Sequence, residues 1–114
     1  MPHCVIEYAK PLKHVISVEA LVEAIHQALI DSDLFEPQAV KTRAHAMDHF
    51  RVGEDEANTF VHVHMAIMPG RTDEQKAQLL ERVFESISLI TNVVSSVTME
   101  IVDINKQHYL KVIN

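Results

Sequence analysis

Thr59-Phe60-Val61-His62-Val63-His64-Met65-Ala66-Ile67-Met68-Pro69-Gly70-Arg71-Thr72-Asp73-Glu74-Gln75 changes its period partway along. Up to Met68 the stretch alternates in steps of two, the pattern of a strand with one face buried. Pro69-Gly70 then turns the chain. Thr72-Asp73-Glu74-Gln75 reads as a capping box, in which the Thr hydroxyl and the Gln side chain serve backbone N–H groups left free in the first helical turn. Leu79, Leu80, Val83, Phe84, Ile87 and Ile90 follow as one helical stripe, and a strand is expected from about Val97 to Ile104. This half of the chain is β-α-β.

The N-terminal half repeats the plan. Residues 3–8 read as a strand, and Lys10-Pro11-Leu12-Lys13 leads to a helix with Ser17 as N-cap and Val18, Leu21, Val22, Ile25 and Leu29 on one face. Asp31-Ser32-Asp33 and Pro37 end it, and a strand from about Ala39 to Val52 runs to the polar turn Gly53-Glu54-Asp55-Glu56. The tail His108-Tyr109-Leu110-Lys111-Val112-Ile113 can add a short strand or hairpin arm. The expected fold class is α/β (α+β): two consecutive β-α-β units, pseudo-repeats 1–56 and 57–114 of a single domain, forming a four-stranded mixed sheet with both helices on one face. The other sheet face is left uncovered. Because it carries Val and Met, a homo-oligomer is expected. The competing expectation is a monomeric ferredoxin-like domain with a half-polar open face, which antiparallel sheets tolerate.

Composition narrows the function. The chain has 114 residues, 47% of them apolar, enough for one core and too few for two. A net charge of -6, with no long Lys/Arg-rich stretch, argues against nucleic acid as partner while leaving room for small anions held by local cations. No stretch has the length of a membrane span and no secretory leader opens the chain, so a cytoplasmic location is expected. The single Cys4 has no internal partner and fits a reducing compartment.

Pro2 stands directly behind Met1 and ahead of the apolar run His3-Cys4-Val5-Ile6-Glu7-Tyr8. A small second residue is what methionine removal generally requires, and removal would expose a secondary amine. An α-amino group titrates at about 7.7–8.0, and burial or nearby cations bring it toward neutrality, where general acid–base catalysis is most effective. A retained Met1 would instead lock that nitrogen in an amide. Pro is also a common second residue, so Pro2 needs support from the rest of the chain.

Strand alternation sends Lys41, Arg43, His45, Met47, His49 and Arg51 to one face. A cationic stripe on an acidic chain points to an anionic partner, and Arg offers carboxylates a planar two-pronged donor. The bland reading, cations facing water, fits Lys41 and Arg51 better than mid-strand Arg43. Arg71 directly precedes the N-cap Thr72, where its guanidinium and free helical N–H groups could face the same anion; taken alone, it reads as a surface Arg first. Eight histidines raise the question of a metal. His62 and His64 share one strand face and His45 and His49 another, but no HExxH motif or Cys pair accompanies them and Asp48 points away, so no metal and no cofactor are expected. Cys4 reads as a buried strand thiol, with His3 pointing to the opposite face.

Met1-Pro2-His3 opening a strand, Lys41-Thr42-Arg43-Ala44-His45, Phe60-Val61-His62-Val63-His64-Met65 and Pro69-Gly70-Arg71-Thr72 together resemble the 5-carboxymethyl-2-hydroxymuconate isomerase family of the tautomerase superfamily. The resemblance covers nearly the whole chain, and the order and spacing of the motifs carry it. It implies paired βαβ units assembled as a trimer, an isomerase of aromatic compound catabolism (homoprotocatechuate degradation), and Pro2 as proton carrier. Arg43 and Arg71 stand where the family has arginines around substrate carboxylates. Lys41 stands at a position of arginine in relatives, keeping the charge and losing the planar fork. The implied partner is a small-molecule carboxylate, an unsaturated 2-hydroxy or 2-oxo acid. Two alternatives remain open: another tautomerase, dehalogenase or decarboxylase activity on the same scaffold, and a non-enzymatic oligomeric binding protein.

Overall fold

In the computed structural model, which describes residues 1–114, the chain forms β1 (Pro2–Ala9), α1 (Val18–Asp31), β2 (Lys41–Met47), β3 (Phe60–Ile67), α2 (Asp73–Ile87) and β4 (Ser96–Asp103) in that order, with short 3-10 turns at Lys10–His14, Pro37–Ala39 and Lys106–His108. The four strands lie in the order β2-β1-β3-β4. β1 is parallel to β2 and β3 to β4, while β1 and β3 meet antiparallel at the centre. Each unit contributes a parallel pair bridged by its own helix, and the two units join strand to strand as the sequence pattern predicts.

Alternation decides which side of the sheet is covered. Cys4, Ile6, Val61, Val63, Met65 and Ile67 have no exposed surface, and each points to the helix-bearing face from a central strand. Ala44 and Ala46 of β2 and Val97, Met99 and Ile101 of β4 pack against the same cluster from the edges. The helices close it with Leu21, Ile25 and Leu29 from α1 and Leu79, Val83 and Ile87 from α2. Burying one such side chain stabilises the fold by about 1.5–3 kcal/mol. A hydrogen bond of 2.8 Å between His26 Nδ1 and Thr42 Oγ1 ties α1 to β2.

Both helix starts follow the chemistry of their sequences. Ser17 accepts from the Ala20 N–H, and Thr72 and Gln75 form the reciprocal capping box. Three expectations are corrected. β2 ends at Met47 and not near Val52, because the chain leaves the sheet at Asp48, whose carboxylate pairs with Lys10 at 2.9 Å; His49 and Arg51 therefore do not extend the cationic stripe. The tail forms no strand, since Asn105 caps a 3-10 turn and the chain then crosses back toward the N-terminus. Phe84 sits on the outer side of α2 with 48% of its surface exposed, and Ile90 lies beyond the helix end. No helix is long and apolar enough to cross a membrane.

Candidate active site

The amino end of β1 lies beside the carboxyl end of β3, where Pro2 pairs with Ile67. Pro2 is buried on the helix-bearing face, the same face as Cys4. From Ile67 the chain turns through Gly70, whose φ of 116° suits glycine and strains any other residue, and enters α2 at the capped Thr72. Arg71 is thus held between a turn and a cap. Its Nη2 donates to the Leu34 carbonyl, and its guanidinium carbon lies 5.4 Å from the centroid of Phe35. These contacts fix the plane of the guanidinium and leave further N–H groups to bind an anion.

Lys41 opens β2 opposite His3, and its Nζ donates to the Ala39 carbonyl at 3.2 Å. The returning tail brings Tyr109 and Lys111 to the same end of the sheet. These charges act on the α-amino group carried by Met1. Its pKa is lowered from 8.0, first by burial and then by Lys111, Lys41 and Arg71, with Glu36 opposing. The amino end of β1 is therefore a cationic corner that favours a neutral amine.

Arg43 lies on the open sheet face, opposite Val5, and its Nη1 is 3.4 Å from Nδ1 of His3. The Nε2 of His3 is 2.9 Å from the Tyr109 hydroxyl, which in turn donates to the Met1 sulfur. An arginine has donors and no acceptor, so Nδ1 of His3 accepts, Nε2–H donates to Tyr109, and the phenol passes its own hydrogen to Met1. This one-way chain runs from Arg43 to the N-terminal residue. It requires a neutral His3, and the His3 pKa is indeed lowered, by burial first and then by Arg43, Lys41 and the terminal amine. Cys4 has no part in such chemistry: burial pushes its thiol up to about 12 and leaves it protonated.

The sequence model of the family described as 5-carboxymethyl-2-hydroxymuconate isomerase matches residues 2–114. The chain belongs to that family. As a member it is an isomerase, and its fold is found in solved structures. A 5-carboxymethyl-2-hydroxymuconate delta-isomerase superposes with a TM-score of 0.87 at 16% identity, covering 98% of this chain and 88% of that one. A 5-carboxymethyl-2-hydroxymuconate isomerase from Deinococcus radiodurans R1 gives 0.88 at 20% identity, covering 99% and 90%. A fused 4-OT symmetric trimer gives 0.75 at 18% identity, covering 93% and 89%. At these identities the structures share the fold. Comparison with curated proteins finds no sequence match.

In this family member, Pro2 and Lys41 lie toward one end of the sheet, and Lys41 and Arg71 both act on the Met1 amine there. Arg43 does not join them directly and reaches the corner through His3. Sequence reasoning missed Tyr109, Lys111, Glu36 and His3. The tail carried alternating polar residues, which signalled a strand; the 3-10 turn at Lys106–His108 redirected them instead. By alternation His3 reads only as pointing to the opposite face from Cys4, yet a hydroxyl from the tail meets its ring on that other face.

Proposed function

We propose that this isomerase moves a proton on an unsaturated 2-hydroxy or 2-oxo di- or tricarboxylic acid such as 5-carboxymethyl-2-hydroxymuconate, with the amine of Pro2, freed by removal of Met1, as acid and base. The observation that carries this reading is the convergence of Lys41, Arg71 and Lys111 on the amino end of β1. The same cations serve two ends. They favour the neutral form of an amine at this corner, as they do for the Met1 amine, and they attract a substrate bearing several carboxylates.

The neutral Pro2 amine accepts the proton of the 2-hydroxyl, and the electrons of that O–H bond form the 2-carbonyl. The conjugated double bonds shift by one position, and the protonated amine returns its proton at C5, so atoms and charge balance. Arg71, planar and held by Leu34 and Phe35, binds one carboxylate in two-pronged fashion; Lys41 completes the cationic set, and Arg43 acts on the corner through His3. Preorganised cations of this kind stabilise negative charge on the dienolate as it develops. The substrate's own carbonyl acidifies the proton that moves, so the reading calls for no cofactor.

A homotrimer is part of the proposal, supported by the open sheet face and by the trimeric form of the fused 4-OT relative. The physiological setting would be aromatic compound catabolism. The test is ketonisation of 5-carboxymethyl-2-hydroxymuconate and of 2-hydroxymuconate, followed by ultraviolet absorbance. Turnover of both, with the tricarboxylate favoured in kcat/KM, is expected. Failure to turn over either substrate by protein shown by mass to lack Met1 would refute it.

A further inference from the structure

The open face of the sheet, which the proposed homotrimer would bring toward neighbouring copies, carries a second cluster on the side opposite Pro2. His62 and His64 stand two residues apart on β3, and Glu100 of β4 lies directly opposite His64. Oε2 of Glu100 is 2.6 Å from Nε2 of His62 and 3.3 Å from Nδ1 of His64. One potential ligand atom from each residue lies within 4.8 Å of the other two. We propose that His62, His64 and Glu100 form a binding site for a divalent transition-metal ion of the zinc class.

Distances and chemistry support the assignment. Zinc bonds of about 2.0–2.2 Å in tetrahedral geometry place neighbouring ligand atoms roughly 3.4 Å apart. Both contacts to Glu100, 2.6 and 3.3 Å, are shorter than that spacing, so an ion is admitted by side-chain rotation that draws the carboxylate back from His62. Two imidazoles and a carboxylate with a fourth position left for water match a recurrent zinc ligand set. The cluster lies in a shallow depression whose remaining lining is Val5 and Glu7, and Glu7 pairs with His62 from the β1 side. Two carboxylates thus face a dication while Arg43 lies across the neighbouring strand, opposite Val5.

Thr98 supplies the outer partner such a site needs. Its hydroxyl is 2.7 Å from Nδ1 of His62 and can donate or accept. When the metal takes Nε2, the remaining proton sits on Nδ1 and donates to Thr98, which fixes the ring orientation. Without metal, Nε2–H donates to Glu100. Binding therefore moves the proton of the neutral His62 ring from Nε2 to Nδ1, and because the ion needs unprotonated imidazoles it weakens as pH falls. The pairing of Glu100 with both imidazoles, invisible in the linear sequence, is set by the parallel register of β3 and β4.

Calorimetric titration of the purified protein with zinc chloride tests the site, together with the visible spectrum of the cobalt(II)-loaded protein. One zinc per chain and intense cobalt bands typical of tetrahedral coordination are expected. Glu100→Gln, which keeps the shape, and His64→Ala should each weaken zinc binding at least tenfold while far-ultraviolet circular dichroism stays native. Zinc should raise the melting temperature of the wild type and not that of the His62→Ala/His64→Ala double variant. No stoichiometric zinc uptake by the wild type, or equal uptake by the folded variants, would overturn the proposal.

Discussion

The hydroxyl of Tyr109 lies 2.9 Å from Nε2 of His3, joining two residues 106 positions apart and fastening the C-terminal tail to the first strand. That bond places Lys111 near the chain's amino end, where it ranks just after burial in lowering the amine pKa. Tyr109→Phe removes the link and keeps the ring. A hydrogen bond of this type contributes about 0.5–1.5 kcal/mol, so kcat/KM should fall by up to about tenfold. Amide exchange in residues 109–114 should also quicken. Unchanged kinetics and exchange would show that the tail is held by other contacts.

Lys111→Met should move the pH profile. The acting base must be neutral, so kcat/KM rises with pH through the amine pKa. A nearby cation lowers that pKa, and its removal raises it. The acidic limb of kcat/KM should therefore shift to higher pH in Lys111→Met, with activity at high pH less affected. A limb that stays in place or moves downward would separate Lys111 from the amine.

Arg71 combines a structural and a binding role, and two substitutions separate them. Arg71→Ala loses the Leu34 and Phe35 contacts as well as the substrate fork. Hydrogen bonds to charged groups contribute about 1.5–3 kcal/mol, so KM should rise at least tenfold, with kcat falling too if the dienolate is stabilised there. Arg71→Lys should recover part of the binding and little of the rate. Steady-state kinetics read both.

Gly70→Ala tests the turn that aims Arg71. A Cβ there meets nothing within 4 Å, so crowding is absent, and the cost comes from φ of 116° alone. Destabilisation of about 1–3 kcal/mol is expected from such strain, measured by urea unfolding. Thr72→Ala, which removes the cap of α2, should cost about 1 kcal/mol. Ile6→Ala, in the fully buried core, should cost about 2–5 kcal/mol.

Much of this arrangement was legible in the chain because it depends on local chemistry. The capping box at Thr72, the two-residue alternation of Phe60–Ile67 and the apolar stripe of α1 each encode their element without help from distant residues. That Pro2 lies opposite Ile67, just before the turn that carries Arg71, follows once β1 and β3 are known to pair. What escaped depends on contacts across the sequence. The tail was legible as extended chain, and its return to His3 was not, because no local pattern records a partner 106 residues away. The grouping of histidines failed for the same reason. His45, expected on a different face, shares the open face with His62 through the register Glu7↔His45 and Glu7↔His62. Glu100 joined His62 and His64 through β3–β4 register alone.

The central claim is that the Pro2 amine carries the proton, and two forms of one protein test it directly. Protein retaining Met1, verified by intact mass, and the same preparation after enzymatic removal of Met1 should be compared in the 5-carboxymethyl-2-hydroxymuconate ketonisation assay. The account predicts a gain of about 10²–10⁴-fold in kcat on removal, the range for a positioned general base. Equal turnover by the two forms would contradict it, because a Pro2 nitrogen held in an amide has its lone pair delocalised into the carbonyl and does not accept a proton near neutral pH.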